Sequence, residues 1–449
     1  MDFSEKKPAV DSGAAGGLAP TKLPKATKVR FLVCMLLFIA TAINYLDRTN
    51  MAVAAPAMQG ELGIDAAQLG LLFSGFSWSY ALMQLPGGWF LDRFGPRITY
   101  ACSCGIWSLF TLAMGFGKNF LVLLSFRLGI GFSEAPAFPT NSRVAATWFP
   151  KQERASVTAI YTAGEYVGLA FLTPILFWIS ANMGWPAIFW ITSVVGILFS
   201  FVWYVYYRDP QDSKKVNQQE LEYIRQGDGL ADKAVTGEKI RWTDLKELFQ
   251  HRQLWGIYIG QFATNSTLIF FLTWFPTYLV AEKHMPMLKA GIYASIPYAA
   301  AFLGVLVGGF WSDRMIKKGC SLSLARKLPI VLGLLGSSMI VLANYFDDFN
   351  TIIAIMSIAF FAQGMAALGW VIVGDIAPAR LVGLAGGVFN FFANLSGIIT
   401  PLVIGFIVQA TASFTGALIF MSCIALMGAC SYIFLVGNIH RITPKSENE

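Results

Sequence analysis

The sequence predicts an all-α membrane protein with twelve transmembrane helices in two six-helix bundles. Three observations carry that expectation. Hydrophobic residues make up 55% of the 449 residues and charged residues only 13%, too apolar for a soluble chain of this length. The apolar residues gather into runs near the ~20 helical residues that cross a ~30 Å hydrocarbon core. One short pattern also occurs twice, half a chain apart. Gly87-Gly88-Trp89-Phe90-Leu91-Asp92-Arg93-Phe94-Gly95-Pro96-Arg97 ends one run, and Gly308-Gly309-Phe310-Trp311-Ser312-Asp313-Arg314 ends another, followed by Lys317 and Lys318. A duplicated membrane bundle is how many secondary transporters are built.

The first six predicted spans cover residues 30–55, 68–91, 98–117, 119–142, 154–181 and 185–207. The last six cover 253–281, 288–312, 326–346, 350–375, 380–409 and 414–437. The domain expectation follows: a disordered tail over 1–28, an N-terminal bundle over 29–207, a cytoplasmic central loop over 208–252, a C-terminal bundle over 253–437 and a cytoplasmic tail over 438–449. The tail is polar, rich in Gly, Ala, Pro and Lys, and lacks periodicity.

The net charge of +7 does not point to nucleic acid. Lys and Arg crowd into alternate connections, around Arg93 and Arg97, Lys151 and Arg154, the central loop, and Lys317 and Lys318. The intervening links hold acids such as Glu61, Asp65, Asp347 and Asp348. Positive loops stay cytoplasmic, so both termini are expected in the cytoplasm of a multi-pass inner-membrane protein. The first apolar run is too long for a signal-peptide core. The six cysteines (Cys34, Cys102, Cys104, Cys320, Cys423, Cys430) are expected to form no disulfide, and Cys102-Ser-Cys104 lacks the flanking ligands of a zinc site.

Enzyme motifs are missing. There is no phosphate-binding Gly-x-x-x-x-Gly-Lys-Ser/Thr loop, no His-Glu-x-x-His and no Gly-x-Ser-x-Gly elbow. The three histidines, His251, His284 and His440, fall in loops or the tail. No cofactor is expected, with protons as the coupling ion, and no metal.

Ionisable groups at bilayer depth cost at least ~2.5 kcal/mol each and usually face a cavity. All such groups lie in the first half. Asp47 and Arg48 in span one are adjacent and point about 100° apart on a helix, so they cannot serve one partner. One arrangement turns Arg48 to the cavity to hold an anion and Asp47 toward a neighbouring helix; the alternative is a structural ion-pair network or an interfacial pair near the helix end. Arg127 and Glu134 in span four are two turns apart and share a face, with Gly129 and Gly131 allowing close helix approach. With Arg127 or Arg48 near it, Glu134 reads as a group that loads and unloads a proton; the alternative is a static salt bridge. Glu165 sits in mid-span five. It reads equally as a second protonatable group, a contact to substrate hydroxyls, or a partner for Arg48 or Arg127.

Amides and aromatics complete the set: Tyr80, Gln261, Asn265, Trp370, Asn390 and Asn394, the last two sharing a face at i, i+4. They suit the hydroxyls of a polyol chain, or bond across helices. Asp375 reads as loop packing. Trp274-Phe275-Pro276 reads as a hinge and an interfacial belt. Asp92, Arg93, Asp313 and Arg314 read as gating charges that hold facing helices together in one state, or as plain helix-end charges.

The Gly88–Arg97 stretch resembles the signature loop of the major facilitator superfamily. Asn44-Tyr45-x-Asp47-Arg48, Arg127 to Pro136, Trp148-Phe149-Pro150-x-x-Glu153-Arg154, Phe271 to Pro276 and Gly386 to Asn390 resemble its anion:cation symporter family. The similarity runs from Val29 to Ile442 and is nearest to bacterial glucarate, galactarate and galactonate transporters. It implies proton-coupled uptake of a hydroxylated organic anion by alternating access. It also implies Arg48 at the substrate carboxylate, Tyr80, Trp370 and Asn390 in the polar cavity wall, and Asp47 with Glu134 at the proton; the residues themselves add Tyr45, Arg127, Glu165 and Asn394 to the expected substrate site. Glu165 departs from the Gln of such relatives. The expected partners are a small organic anion and the lipid bilayer, for a monomer. An organic-anion exchanger without net proton flux and a non-transporting substrate sensor stand as alternatives.

Overall fold

The computed structural model describes residues 26–227, 242–378 and 381–442, all as helices and connections, with no strand among them. α1 is Val29–Leu62. The next helical stretch, Ala66–Met114, is two helices joined at Gly95, whose φ of 72° only glycine adopts freely. Pro96 follows it and reinforces the break. The two are α2 (66–94) and α3 (96–114). α4 is Phe120–Trp148, α5 covers 151–183, and α6 is Trp185–Tyr206. Two short helices of the central connection follow, α7 (Gln218–Gln226) and α8 (Trp242–Gln250). The second half holds α9 (252–282), α10 (Met287–Lys317), α11 (Leu322–Tyr345), α12 (Phe349–Ile376), α13 (Val382–Thr411) and α14 (Thr415–Leu435).

Nine helices among the described residues are long and apolar enough to cross a membrane. The three other predicted spans fall on α2, α3 and α9. Each half packs within itself, α1 on α5 and α6, and α10 on α12. The halves meet along α2 with α13, α5 with α10, and α1 with α9. The closest approaches lie at the end away from the termini. A Cβ on Gly70 would stand 2.7 Å from the Pro401 carbonyl oxygen, and one on Gly405 would stand 2.7 Å from that of Ala66. Small residues are what let membrane helices approach this closely. Phe73 meets Trp274 at 5.3 Å, and the Ala66 amide donates to Gln409 Oε1.

At the other end the ion pairs stay within one half. Arg143 holds Asp92 at 3.5 Å, and Arg326 bridges Asp313 at 3.2 Å and Asp375 at 3.5 Å. Among the described residues no ion pair joins the two halves.

The expected tail over 1–28 lies outside the described residues up to 25, as do 228–241 of the central loop and 443–449 of the C-terminal tail. Thr27 is held: its hydroxyl donates to Glu220 Oε2 at 2.6 Å. Glu220, fully buried, also accepts the amides of Val29 and Arg30. It thus caps the first turn of α1, where a carboxylate meets the positive helix end. The belt reading of Trp274 is corrected. Its ring is fully buried, and its Nε1 donates to the Pro401 carbonyl at 3.2 Å, so it is core at the seam between halves. The helix does break there, into a short turn at Phe275–Thr277.

Candidate functional site

Helical spacing in α1 sends Asp47 and Arg48 in different directions. Arg48 points toward α4 and α2. Its Nε donates to Glu134 Oε1 at 2.7 Å, and its terminal nitrogen approaches the same oxygen at 2.7 Å. Both contacts fall on one oxygen, and Glu134 Oε2 is buried without a hydrogen bond. The Arg48 side chain keeps 18% exposure, while that of Glu134 has none.

An aromatic frame holds the guanidinium. Its carbon lies 4.9 Å from the Tyr45 ring centroid, 4.9 Å from that of Phe76 and 5.1 Å from that of Tyr80, within cation–π range. Phe76 and Tyr80 are one turn apart on α2 and stack at 5.4 Å. Phe76 also carries the buried Arg127, 5.0 Å away, so one ring contacts two cations.

Arg127 shares a face of α4 with Glu134 but makes no ion pair with it within 4 Å; it acts on that carboxylate only at longer range. Its Nε has no hydrogen-bond partner. The close neighbour of Glu134 is therefore Arg48, 86 residues away in sequence. A Cβ on Gly131 would fall 2.2 Å from the Phe76 carbonyl oxygen. That glycine brings α4 onto α2 and sets Glu134 within reach of α1.

Asp47 faces the bundle interior. Trp107 Nε1 donates to its Oδ2 at 3.0 Å, and Asn50 Nδ2 donates to its Oδ1 at 3.0 Å and to Thr192 Oγ1 at 2.7 Å. Two donors keep the carboxylate satisfied with no cation. Glu165 on α5 is buried at 6% exposure. It lies beside Tyr45 and Arg48, and its Oε1 has no hydrogen-bond partner. The structure therefore sets it near Arg48, not Arg127.

Among the described residues the second half contributes no ionised group at this depth. Trp370 is about half exposed and meets Phe389 edge-on at 4.8 Å. Asn394 Nδ2 donates to the Asn390 carbonyl at 2.9 Å, leaving the Asn390 amide group outside that bond. Asn265 bonds across helices, donating to the Ala393 carbonyl at 2.7 Å and to Ser396 Oγ at 2.8 Å.

The charges of the repeated motif have unlike partners. Asp92 pairs with α4 through Arg143, Asp313 pairs with α11 through Arg326, and Arg93 lies over the Trp89 and Phe94 rings. Arg143 and Arg326 were not singled out from the sequence, because single basic residues at helix ends carry no distinguishing pattern. Trp107 and Phe76 were also missed. Phe76 had a signal, since it stands one turn before Tyr80 on the same face.

Over residues 37–343 the sequence matches the profile of the Major Facilitator Superfamily. The chain belongs to that superfamily. It is 46% identical over 428 residues to a D-galactonate transporter of Escherichia coli O6:H1, covering 94% of this chain and 99% of that one. It is 42% identical over 432 residues to the probable galactarate/D-glucarate transporter GarP of Escherichia coli K12, covering 93% and 97%. It is 41% identical over 439 residues to the probable galactarate/D-glucarate transporter GudP of Bacillus subtilis 168, covering 96% of each chain. Among solved structures it resembles a bacterial homologue of the human lysosomal transporter Spinster in an inward-facing, unoccupied conformation. The TM-score is 0.69 at 20% identity, covering 92% of this chain and 96% of that one. At that identity the likeness concerns the fold alone; the family match and the curated relatives make the protein a multi-pass transporter of the major facilitator type.

Proposed function

We propose that this superfamily member is a proton-coupled symporter of the bacterial inner membrane, with both termini cytoplasmic. It would import a hydroxylated sugar-acid anion, an aldonate or aldarate such as galactonate, galactarate or glucarate, by alternating access. The names of the relatives support the substrate class. The observation that carries the coupling is the Arg48–Glu134 pair, in which one guanidinium is neutralised by one fully buried carboxylate.

Charge balance supports the coupling. A substrate carboxylate that takes the planar fork of Arg48 must displace Glu134 Oε1. A carboxylate left alone at that depth costs several kcal/mol, so it takes up a proton. Anion and proton then enter together and leave together. Release reverses the exchange, as Arg48 recaptures the ionised Glu134. The aromatic frame of Tyr45, Phe76 and Tyr80 holds the guanidinium in place in both states. The half-exposed Trp370 and the amides of Asn390 and Asn394 supply a wall suited to hydroxyl groups. Asp92, Arg93, Asp313 and Arg314 serve the closing of the termini-bearing end.

The test is uptake of labelled D-galactonate into proteoliposomes with an imposed pH gradient, acidic on the side of entry. Accumulation above the equilibrium level, lost when a protonophore collapses the gradient, is expected. Uptake indifferent to the gradient would leave an exchanger or a uniporter.

A further inference from the structure

α3 and α6 pack side by side and run antiparallel. Three side-chain bonds set their register. Cys104 Sγ donates to the Gly196 carbonyl at 3.3 Å, Ser200 Oγ to the Ala101 carbonyl at 2.7 Å, and Arg97 Nε to the Tyr204 carbonyl at 2.9 Å. Small residues close the seam, since a Cβ on Gly196 would run into Ser108 Oγ. Each helix leaves an apolar row outside the contact. Ile98 and Ile106 of α3, and Leu198 and Phe201 of α6, are all exposed.

Both rows end at positive charge. Arg97 stands in the first turn of α3 and Arg208 just past the end of α6, at the end that bears the termini. Arg208 Nη1 donates to the Tyr204 carbonyl at 2.9 Å and to the Tyr207 carbonyl at 2.6 Å. The Tyr204 carbonyl thus accepts from both guanidinium groups. Arg97 also lies over the Tyr204 ring, 4.2 Å from its centroid, and Lys215 lies over the exposed Tyr206 ring at 4.8 Å. Among the described residues none of these three cations forms an ion pair. The neighbouring acids turn elsewhere. Asp92, Asp209 and Asp212 line a cleft with Arg143, and none of the three cations lines it. Asp92 pairs there with Arg143, and Asp209 accepts the Tyr207 hydroxyl at 2.9 Å.

Two like charges held side by side repel each other and call for a shared counter-anion. Basic side chains at helix ends ordinarily reach out to water one by one. Here two are drawn onto one carbonyl oxygen, with rings around them and apolar rows leading away. We propose that this corner binds one anionic phospholipid, its phosphate held by Arg97 and Arg208, its headgroup beside Lys215 and its acyl chains along α3 and α6. A guanidinium fork matches phosphate oxygens in pairs. Tyr204 and Tyr206 suit the headgroup level, where amphipathic rings gather. A zwitterionic lipid would add a cation of its own to a corner that already holds three, so the site selects a headgroup of net negative charge. The apolar rows select a lipid over free phosphate, which has no chains to cover them. The site stands whether or not transport is proton-coupled.

Native mass spectrometry of the full chain in detergent tests this with three probes: phosphatidylglycerol, phosphatidylcholine with the same acyl chains, and inorganic phosphate. The wild type should retain one phosphatidylglycerol at least about tenfold more tightly than phosphatidylcholine, and no phosphate at the same concentration. A basic side chain at a membrane surface is worth about fivefold in affinity for anionic lipid. The double variant Arg97→Gln with Arg208→Gln should therefore bind phosphatidylglycerol about thirtyfold more weakly. Lys118→Gln removes an exposed cation from the connection at the opposite end and should leave binding unchanged. Equal retention of the two lipids, capture of phosphate in place of lipid, or an unchanged double variant overturns the site.

A second measurement does not depend on the variants folding. Phosphatidylglycerol with a diazirine in one acyl chain is photolysed in liposomes that hold the wild-type protein. Peptides of α3 and α6 should carry several-fold more label than those of α14, whose Ile433 and Phe434 are also exposed. Unlabelled phosphatidylglycerol should compete and phosphatidylcholine should not. Even labelling of the exposed helices, or equal competition by both lipids, would show contact with bulk lipid only and end the proposal.

Discussion

The two halves share a scaffold and differ in chemistry. The first buries Asp47, Arg127, Glu134 and Glu165 inside its spans and holds the partly buried Arg48 among them. Among the described residues the second has no charged side chain at that depth, and its paired charges sit near helix ends, as in Arg326 with Asp313 and Asp375. The repeated Gly-to-Asp-Arg segment lies at the same place in each half, yet its aspartates find different helices. Duplication therefore preserves helix length, small-residue seams and end charges, which any membrane bundle needs. Buried ions are costly and were added to one half only. The physical lesson is a division of labour in which one half carries charge and the other offers rings and amides.

The sharpest way to break that division is Arg48→Lys. A lysine keeps the charge but not the planar fork, and losing a buried charge-assisted contact costs at least about 2 kcal/mol. Affinity for D-galactonate should fall about thirtyfold or more by calorimetry. Near-normal affinity would move the anion site to the second half.

Glu134→Gln comes next. It keeps the shape of the protonated side chain and leaves Arg48 without its counter-ion. Accumulation driven by a pH gradient should vanish, while exchange of bound sugar acid continues. A Gln variant that still concentrates substrate would hand the proton to Asp47, whose carboxylate is bonded to Trp107 and Asn50 inside the same half.

A smaller effect is expected at Glu165→Gln. Arg48 already has Glu134 as its ion pair, and a Gln at 165 keeps an oxygen for the Tyr45 hydroxyl beside it. The variant should melt near the wild-type temperature in detergent and change the pH profile of uptake or the ranking of sugar acids. A much lower melting temperature with profile and ranking unchanged would make Glu165 a structural counter-ion.

The smallest effect sharpens the other side of the comparison. Asn265→Ala removes two bonds to α13, each worth about 0.6 kcal/mol in a membrane bundle. The melting temperature should drop by roughly 2 °C, with substrate affinity unchanged. An affinity loss as large as that of Arg48→Lys would place Asn265 in the substrate site.

Much of this molecule is legible in one dimension, because a bilayer imposes its rules locally. Each span must be apolar and about one bilayer long, whatever its neighbours are. The run lengths thus set α6, α12, α13 and α14 to within about two residues, while α1, α4 and α10 run five to seven residues past the predicted ends. The break at Gly95-Pro96 follows from the backbone preferences of those two residues. Charge patterning alone placed the buried ions in the first half.

What only the tertiary structure decided is who faces whom. Helical spacing says that Arg127 and Glu134 share a face, but not that α4 lies so close to α1 that Arg48 takes Glu134. That closeness comes from Gly131 against Phe76 and Ser79 of α2, a packing fact between distant segments. Spacing likewise says that Asp47 and Arg48 diverge, while the indole of Trp107 on α3 fixes where Asp47 goes. The aromatic tripeptide at Trp274 has the composition of a membrane interface, yet the meeting of α9 with α13 buries it. Periodicity is a property of one helix, and contact is a property of two. A sequence states the first outright and the second only after the chain has packed.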